Sequence, residues 1–314
     1  MYRYLFRRFG FLIITIFLTS LIIFTITQFL PGDTARVILG REAGEQAVQS
    51  LRQELGLNDP APIQYIRWLG RFITGDWGRS FSTKSEIRPL VLERLRNSLR
   101  LALVTALFAI PLALVLGIIA GLNESKVLDH VINIGSLSVV GLPEFVTGLI
   151  LIQVLAFRLK LLPANSSVPS NSSFTQALPM LILPALTATL VLLAYIARMT
   201  RSGVIEEFKK TYVRTADLKG LPRRTVIFKH VLPNALLPTI TIIALSFGWL
   251  ISGLIVIENV FNYPGIGRLM IFAIDRHDIP LIQALSLITV LIFALANLAA
   301  DLLYAYLNPR IRLG

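Results

Sequence analysis

Residues Glu206–Pro238 read EEFKKTYVRTADLKGLPRRTVIFKHVLPNALLP, a basic stretch set between two long apolar runs. It carries Lys209, Lys210, Arg214, Lys219, Arg223, Arg224 and Lys229. A helical pattern reaches Lys219, Gly220 supplies a natural helix stop, and a helical period resumes over Arg223–Leu237. A helix, a glycine turn and a second helix between membrane spans predict a compact knob at one membrane face.

The apolar runs decide the class. The chain has 314 residues, 54% of them hydrophobic and only 15% charged, with a mean hydropathy of +0.70. Soluble domains average about 25% charged residues, so this is a membrane composition. The net charge of +12 is placed in loops that flank apolar runs. That is the pattern of basic residues held on one side of a membrane, and no nucleic-acid partner is implied. With no cysteine and three scattered histidines, His130, His230 and His277, no metal-ligand spacing exists.

Met1–Arg8 carries Arg3, Arg7 and Arg8, and the uncharged run Phe9–Leu30 follows. At ~1.5 Å per residue it crosses a hydrocarbon core of about 30 Å. It ends at Pro31-Gly32 without a small-residue cleavage site, so an uncleaved first span is expected. Further spans are expected at Leu101–Leu122, Val131–Phe157, Ala177–Ala197, Ala235–Ile257 and Ile279–Leu307. The expectation is therefore an all-α polytopic membrane protein with six core transmembrane helices. Residues 1–30 form the N-terminal segment and first span, 31–96 an extracytoplasmic loop region, and 97–314 the core domain with a cytoplasmic loop at 198–237. Short segments on the side of the N-terminus hold Arg3, Arg7, Arg8, Lys126, the knob, Arg310 and Arg312, while short loops opposite hold Arg158, Lys160, Arg268 and Arg276. The bias sets both termini in the cytoplasm. Residues 31–96 mix ten basic with eight acidic residues, and Ala43–Leu55 and Pro62–Thr74 have the pattern of amphipathic helices.

Three sets of residues carry a motif-level match. Tyr212-Val213-Arg214-Thr215-Ala216, Lys219-Gly220-Leu221 and His230-Val231-Leu232-Pro233-Asn234-Ala235-Leu236 form the first. Glu258-Asn259-Val260-Phe261-Asn262-Tyr263-Pro264-Gly265-Ile266-Gly267-Arg268 is the second. The third is Asn308-Pro309-Arg310-Ile311-Arg312, with Leu30-Pro31-Gly32-Asp33 and Gly75-Asp76-Trp77-Gly78-Arg79-Ser80 in the outer region. Together these resemble the permease subunits of binding-protein-dependent ATP-binding-cassette (ABC) importers, in the dipeptide, oligopeptide and nickel permease family. Arg214-Thr215-Ala216 stands where the superfamily-wide form has Glu-Ala-Ala, and Asn308 replaces an Asp.

The resemblance implies a pore subunit of type I importer fold that moves peptides or related solutes across the inner membrane of a prokaryote. Its partners would be a second, paralogous permease, two ABC ATPase subunits and an extracytoplasmic substrate-binding protein, all organised by the lipid bilayer. The coupling residues carried over are Tyr212, Val213, Arg214, Thr215, Ala216, Asp217, Leu218, Lys219 and Gly220. The break at Asp76, Trp77 and Gly78 reads either as a docking surface for the binding protein or as a lid folded on the membrane domain. Glu144 is the one carboxylate deep in a span, which makes it a candidate for the translocation pathway or for an aqueous or subunit contact. No phosphate-binding G-x-x-x-x-G-K-[ST] loop occurs, nor any catalytic triad or carboxylate pair. The chain is thus expected to bind no cofactor, and ATP and Mg are expected on the separate ATPase subunits. The alternative is an ion-coupled secondary transporter, a class that uses charged relays or broken half-helices at the midplane.

Overall fold

The computed structural model describes residues 2–29, 36, 39–40, 43–54, 56–169, 173–252 and 254–307. The motifs Leu30–Asp33 and Asn308–Arg312 lie outside the described residues. Within them the chain is helical, and the one β feature is an isolated antiparallel bridge between Arg79 and Glu86. Helices are unavoidable in this setting, because lipid offers no partner to a bare backbone amide. Among the described residues four helices are long and apolar enough to cross a membrane: α1 (Tyr2–Phe29), α4 (Ile87–Leu122), α7 (Phe174–Phe208) and α14 (Ile279–Leu307). Two bent pairs raise the number to six if each counts as one span.

The first pair corrects a straight expectation for Val131–Phe157. α5 (Val127–Val140) and α6 (Glu144–Leu151, continued by a π-helical turn at Ile152–Arg158) meet at 104° across Gly141-Leu142-Pro143. Proline forbids the α conformation to its predecessor and cannot donate its own amide, so the chain turns there. In the second pair the helical segment Arg223–Ala235 is bent by 46° from the following span. The span helix α7 also outruns its expected end at Ala197 and continues to Phe208, so residues 198–208 belong to a rod rather than a loop. Its start is fixed by a capping box, in which Ser173 accepts from the Gln176 amide and Gln176 reaches back to Ser173.

Two compact units emerge. One comprises Tyr2–Ser98 and Pro264–Leu295. Here α3 (Ala61–Thr74) sets Tyr65, Trp68 and Phe72 at helical spacing. Phe24 of α1 meets the Tyr65 ring edge-on at 5.4 Å and the Trp68 ring at 5.9 Å, and the Ser20 and Tyr65 hydroxyls are 2.8 Å apart. Beyond the left-handed cap at Gly75, Trp77 stacks on Phe72 at 4.9 Å and donates its indole N–H to the Phe72 carbonyl. Asp278, fully buried, then takes the Ser80 hydroxyl at 2.6 Å and the Ser82 amide at 2.9 Å, while starting α14. An apolar cluster of Ile87, Val91, Leu269, Leu281 and Leu285 fills the interior beside α13 (Ile266–Asp275).

The other unit comprises Leu99–Tyr263 and the residues from Ala296 on. Its most buried span is α7. Gly117 and Gly121 of α4 lie against it so closely that a Cβ on Gly117 would sit 2.6 Å from the Ala197 carbonyl oxygen, and one on Gly121 2.7 Å from the Val204 Cβ. Small residues four apart are how membrane helices reach close packing without a hydrophobic driving force. The connection before α7 is pinned by the Ser166 amide on the Phe261 carbonyl at 2.9 Å.

The Asp278 carboxylate joins two segments almost two hundred residues apart, and its loss would strand the buried Ser80 hydroxyl and take the acceptor from the Ser82 amide. Hydrogen bonds to a charged group contribute about 1.5–3 kcal/mol. Asp278→Ala should therefore lower the thermal unfolding midpoint of the detergent-solubilised protein and expose the 75–86 segment to limited proteolysis. Wild-type melting and protection would show that this carboxylate fastens nothing.

Candidate functional site

The knob is rooted in α7. After Phe208 the chain makes a tight turn, runs as α8 (Thr211–Leu218), turns again at Lys219-Gly220-Leu221, and returns through α9 (Arg223–Thr225), a π-helical turn at Val226–Val231 and α10 (Leu232–Ala235) before α11 (Leu237–Ser252). Gly220 has φ +71°, the left-handed conformation expected of a residue that ends a helix, and a Cβ there would meet open space. Pro222 then caps α9. The expected plain helix over Arg223–Leu237 is instead broken by the wider turn. Pro233 has no amide to offer the Lys229 carbonyl, and the i→i+5 pattern covers the residues before it.

Two features fix the knob. The first is apolar. Val213 and Ala216, three apart on the inner face of α8, are buried with Val204, Val226, Val231, Leu232 and Ala235. Gly203 makes room for this: a Cβ there would lie 2.4 Å from the Ala235 carbonyl oxygen. The second is a polar knot. Glu207, buried at the end of α7, accepts from the Tyr212 hydroxyl at 2.5 Å and from the Lys210 ammonium at 2.6 Å. The Asn234 amide donates to the Tyr212 oxygen at 3.2 Å and to the His230 carbonyl at 3.0 Å. Burial, then the bond to Glu207, raises the Tyr212 pKa above its usual value, so the phenol stays a donor. A bidentate pair of Arg201 with the buried Asp129, at 2.5 and 2.7 Å, holds the start of α5 to the same end of α7. The exposed Lys209–Glu124 contact at 3.2 Å adds little.

What remains outside is chemically distinct. Leu218 is 81% exposed and Phe228 68%, with Leu221 exposed beside the turn. Arg214, Lys219, Arg223, Arg224 and Lys229 are exposed around them. An apolar tip within a cationic collar, on a root that cannot shear, is suited to sit in a partner's cleft and to be moved as one body.

Of the sequence candidates, Tyr212–Gly220 form this one element, with Val213 and Ala216 facing in and Arg214, Thr215, Asp217, Leu218 and Lys219 facing out. Glu144 opens α6 directly after Pro143, half-buried, and no hydrogen bond or ion pair joins it to the knob among the described residues. Asp76 and Gly78 are exposed in the other unit, with the Gly78 amide on the Asp76 carboxylate at 3.1 Å and Trp77 half-buried between them. Gly203, Glu207, Asp129 and Arg201 escaped the sequence reading. The spacing of Glu207 five residues before Tyr212 was the available signal for one of them. Among the described residues no cluster of three metal-binding side chains occurs.

Comparison with known proteins covers the whole chain. Residues 113–313 match the family described as "Binding-protein-dependent transport system inner membrane component", and residues 1–102 match "Binding-prot-dependent transport system membrane comp, N-term". A probable peptide ABC transporter permease protein, y4tP of Sinorhizobium fredii, is 35% identical over 309 residues, covering 98% of this chain and 99% of that one. The glutathione transport system permease protein GsiC of Escherichia coli (strain K12) is 35% identical over 312 residues, covering 99% of each.

The polar knot gives a local prediction. Tyr212→Phe keeps the ring and removes the donor to a buried carboxylate, a change worth about 1.5–3 kcal/mol. Amide hydrogens of α8 should exchange roughly 10–100-fold faster, with those of the membrane-spanning helices unchanged. Unaltered exchange in α8 would mean that the apolar root alone holds the knob.

Proposed function

The chain belongs to the family of binding-protein-dependent transport system inner membrane components, and from that premise we propose how its parts divide the work. It is an ABC importer permease, a multi-pass membrane subunit. The knob, in this reading, is the coupling element: Leu218 and its apolar neighbours enter a cleft of an ATPase subunit, the basic collar steers the encounter, and Tyr212–Gly220 transmit the motion of nucleotide closure to α7. The observation that carries it is the division of one short helix into a buried inner face and an exposed apolar tip. Two separate ATPase subunits handle ATP and Mg, and a second permease completes the pathway.

The cargo is a peptide or related solute, in line with the peptide and glutathione systems named among the relatives. A substrate-binding protein delivers it to the outer region, where Asp76 and Gly78 present a turn that Trp77 holds in place. Glu144 lies where α5 and α6 break, and a carboxylate at an irregular point of a span suits contact with a polar solute. The membrane is the inner membrane of a prokaryote, with both termini and the knob in the cytoplasm, as the basic residues favour.

The whole complex, reconstituted in vesicles with both permeases, the ATPases and the binding protein, tests this division. Leu218→Asp puts a charge on an exposed tip without touching the root. It should leave the permease folded and paired, yet cut ATPase retention and transport at least tenfold. Glu144→Gln should keep ATPase retention and lower transport of free-amine peptides more than of N-blocked ones. Normal retention in Leu218→Asp would remove the knob from the ATPase interface. Orientation has its own test in this thiol-free chain. Single cysteines at Ser50 and Ser167 should react with an impermeant thiol reagent on intact cells, and one at Ser202 should not. Labelling of Ser202→Cys would reverse the assignment.

A further inference from the structure

The unit of Tyr2–Ser98 and Pro264–Leu295 contains a cavity of about 510 Å³, whose lining includes the turn at Asp76, Trp77 and Gly78. Its floor is the last two turns of α1, at Phe24, Thr27 and Gln28, and its wall is α3. α1 is the least buried of the spans, and Ile26 and Phe29 beside the cavity are 57% and 82% exposed. The floor thus lies where the lipid face of a membrane helix ends.

α3 has the form of a helix lying in the membrane interface. None of its residues is buried. Ile66 and Ile73, two turns apart, are 70% and 75% exposed, and Ile63 is also exposed. Its opposite face carries Tyr65 and Trp68 onto Phe24 of α1, with Phe72 beside Trp68. Bare isoleucines on one face and a belt of Tyr and Trp at the end of a span are the features of an interfacial amphipathic helix.

The polar part of the lining is cationic. Four basic side chains line it against a single carboxylate, Asp76. Arg67 is already held by Asp59 at 2.7 Å. Arg71, Arg79 and Lys84 remain, exposed, and among the described residues none makes a hydrogen bond or ion pair with their charged groups. The same lining is aromatic, with Phe24, Trp68 and the Phe72–Trp77 stack. Cations and aromatic rings in one lining, at the end of a membrane helix, match an anionic amphiphile.

We propose that this cavity binds the headgroup of an anionic phospholipid from the leaflet at the C-terminal end of α1, with the phosphate among Arg71, Arg79 and Lys84 and the upper acyl chain along Trp68 and α3. Phosphate is the shared chemistry, and a lipid rather than a dissolved phosphate is the source because the aromatic part of the lining needs a chain to cover it. The lipid would fasten α3 to the membrane and so fix the turn at Gly75–Ser80. The site depends on the chain spanning a membrane and is independent of the role given to the knob.

Tryptophan fluorescence reads it directly. The chain has three tryptophans, and Trp249→Phe leaves only Trp68 and Trp77, both in the cavity lining. The full-length protein would be placed in phosphatidylcholine nanodiscs containing small fractions of acyl-brominated phosphatidylglycerol or of equally brominated phosphatidylcholine. Each cation near an anionic lipid favours binding about fivefold, so phosphatidylglycerol should quench at a mole fraction at least about fivefold lower. Arg71→Gln, Arg79→Gln and Lys84→Gln together should remove the difference, and Lys84→Gln alone, on an exposed turn, should reduce it even if the triple variant is unstable. Millimolar inorganic phosphate should leave it intact. Equal quenching by the two lipids, or a difference that survives the triple and single variants, would overturn the proposal. Loss of the difference in free phosphate would assign the site to a soluble phosphate compound. Its loss to a soluble oligoglutamate, and not to phosphate, would make it a docking surface for an acidic protein segment. Either result would overturn the lipid assignment.

Discussion

The contact between Gly203 and the Ala235 carbonyl sets the terms for everything at the knob. A side chain on residue 203 would drive the returning segment off α7, and with it the apolar root of Val213, Ala216, Val226 and Val231. Because the contact is backbone on backbone, no rotamer change can relieve it. The loop is therefore attached as a solid part of α7 rather than as a flexible connector, and the α7 rod, the Glu207 knot and the Arg201–Asp129 pair share one end of one helix. A displacement of Leu218 has no soft joint in which to dissipate before it reaches the span. Mechanical coupling needs that stiffness more than it needs any particular binding energy.

Much of this was legible in the chain. Long uncharged runs between basic segments announce spans because hydrocarbon excludes charge, and Gly220 after a helical pattern announces a left-handed stop. The bounds of Ile279–Leu307 are as expected, and α3 lies within one residue of its expected start. What was not legible has a common cause. Periodicity reports a helix and is silent on its direction, so the 104° turn at Gly141–Pro143 read as an interruption in a straight span. It is equally silent where polarity gives no boundary: α7 crosses into Arg198–Phe208 without a break, because a rod leaving the membrane needs charged residues but no cap. Close approaches such as Gly203 to Ala235 depend on which two surfaces meet, and no local pattern encodes a partner thirty residues away.

The same distinction separates the two regions proposed to act. The knob could be found from sequence because its chemistry lies in one continuous stretch. The cavity beside α3 could not, since it draws Phe24 and Gln28 from a span, Arg71 from α3, Lys84 from a turn and Gln283 from the last long helix. Gln283 donates to Thr27 at 2.7 Å, so the cavity floor is itself tied between the first and last of those elements. Charge counts over residues 31–96 showed a near-balanced loop, and only folding pairs Asp59 with Arg67 and brings Arg71, Arg79 and Lys84 to one cavity.

Burial also accounts for the form of the motif at Arg214-Thr215-Ala216, which stands where related loops carry Glu-Ala-Ala. α8 presents residues 214 and 215 to solvent and turns residue 216, only 7% exposed, into the apolar root. A glutamate or an arginine at 214 meets the same water, and an alanine or a threonine at 215 leaves the packing untouched. At 216 a larger side chain would have to share space with Val213, Val226 and Val231, and a polar one would be buried without a partner. The departure from the general pattern thus falls where the fold has no stake, on the face a partner would touch. The retained alanine falls where the fold has no choice. On the reading proposed for the knob, the departure from the superfamily-wide form would therefore change what the loop offers an ATPase and leave its root as it is.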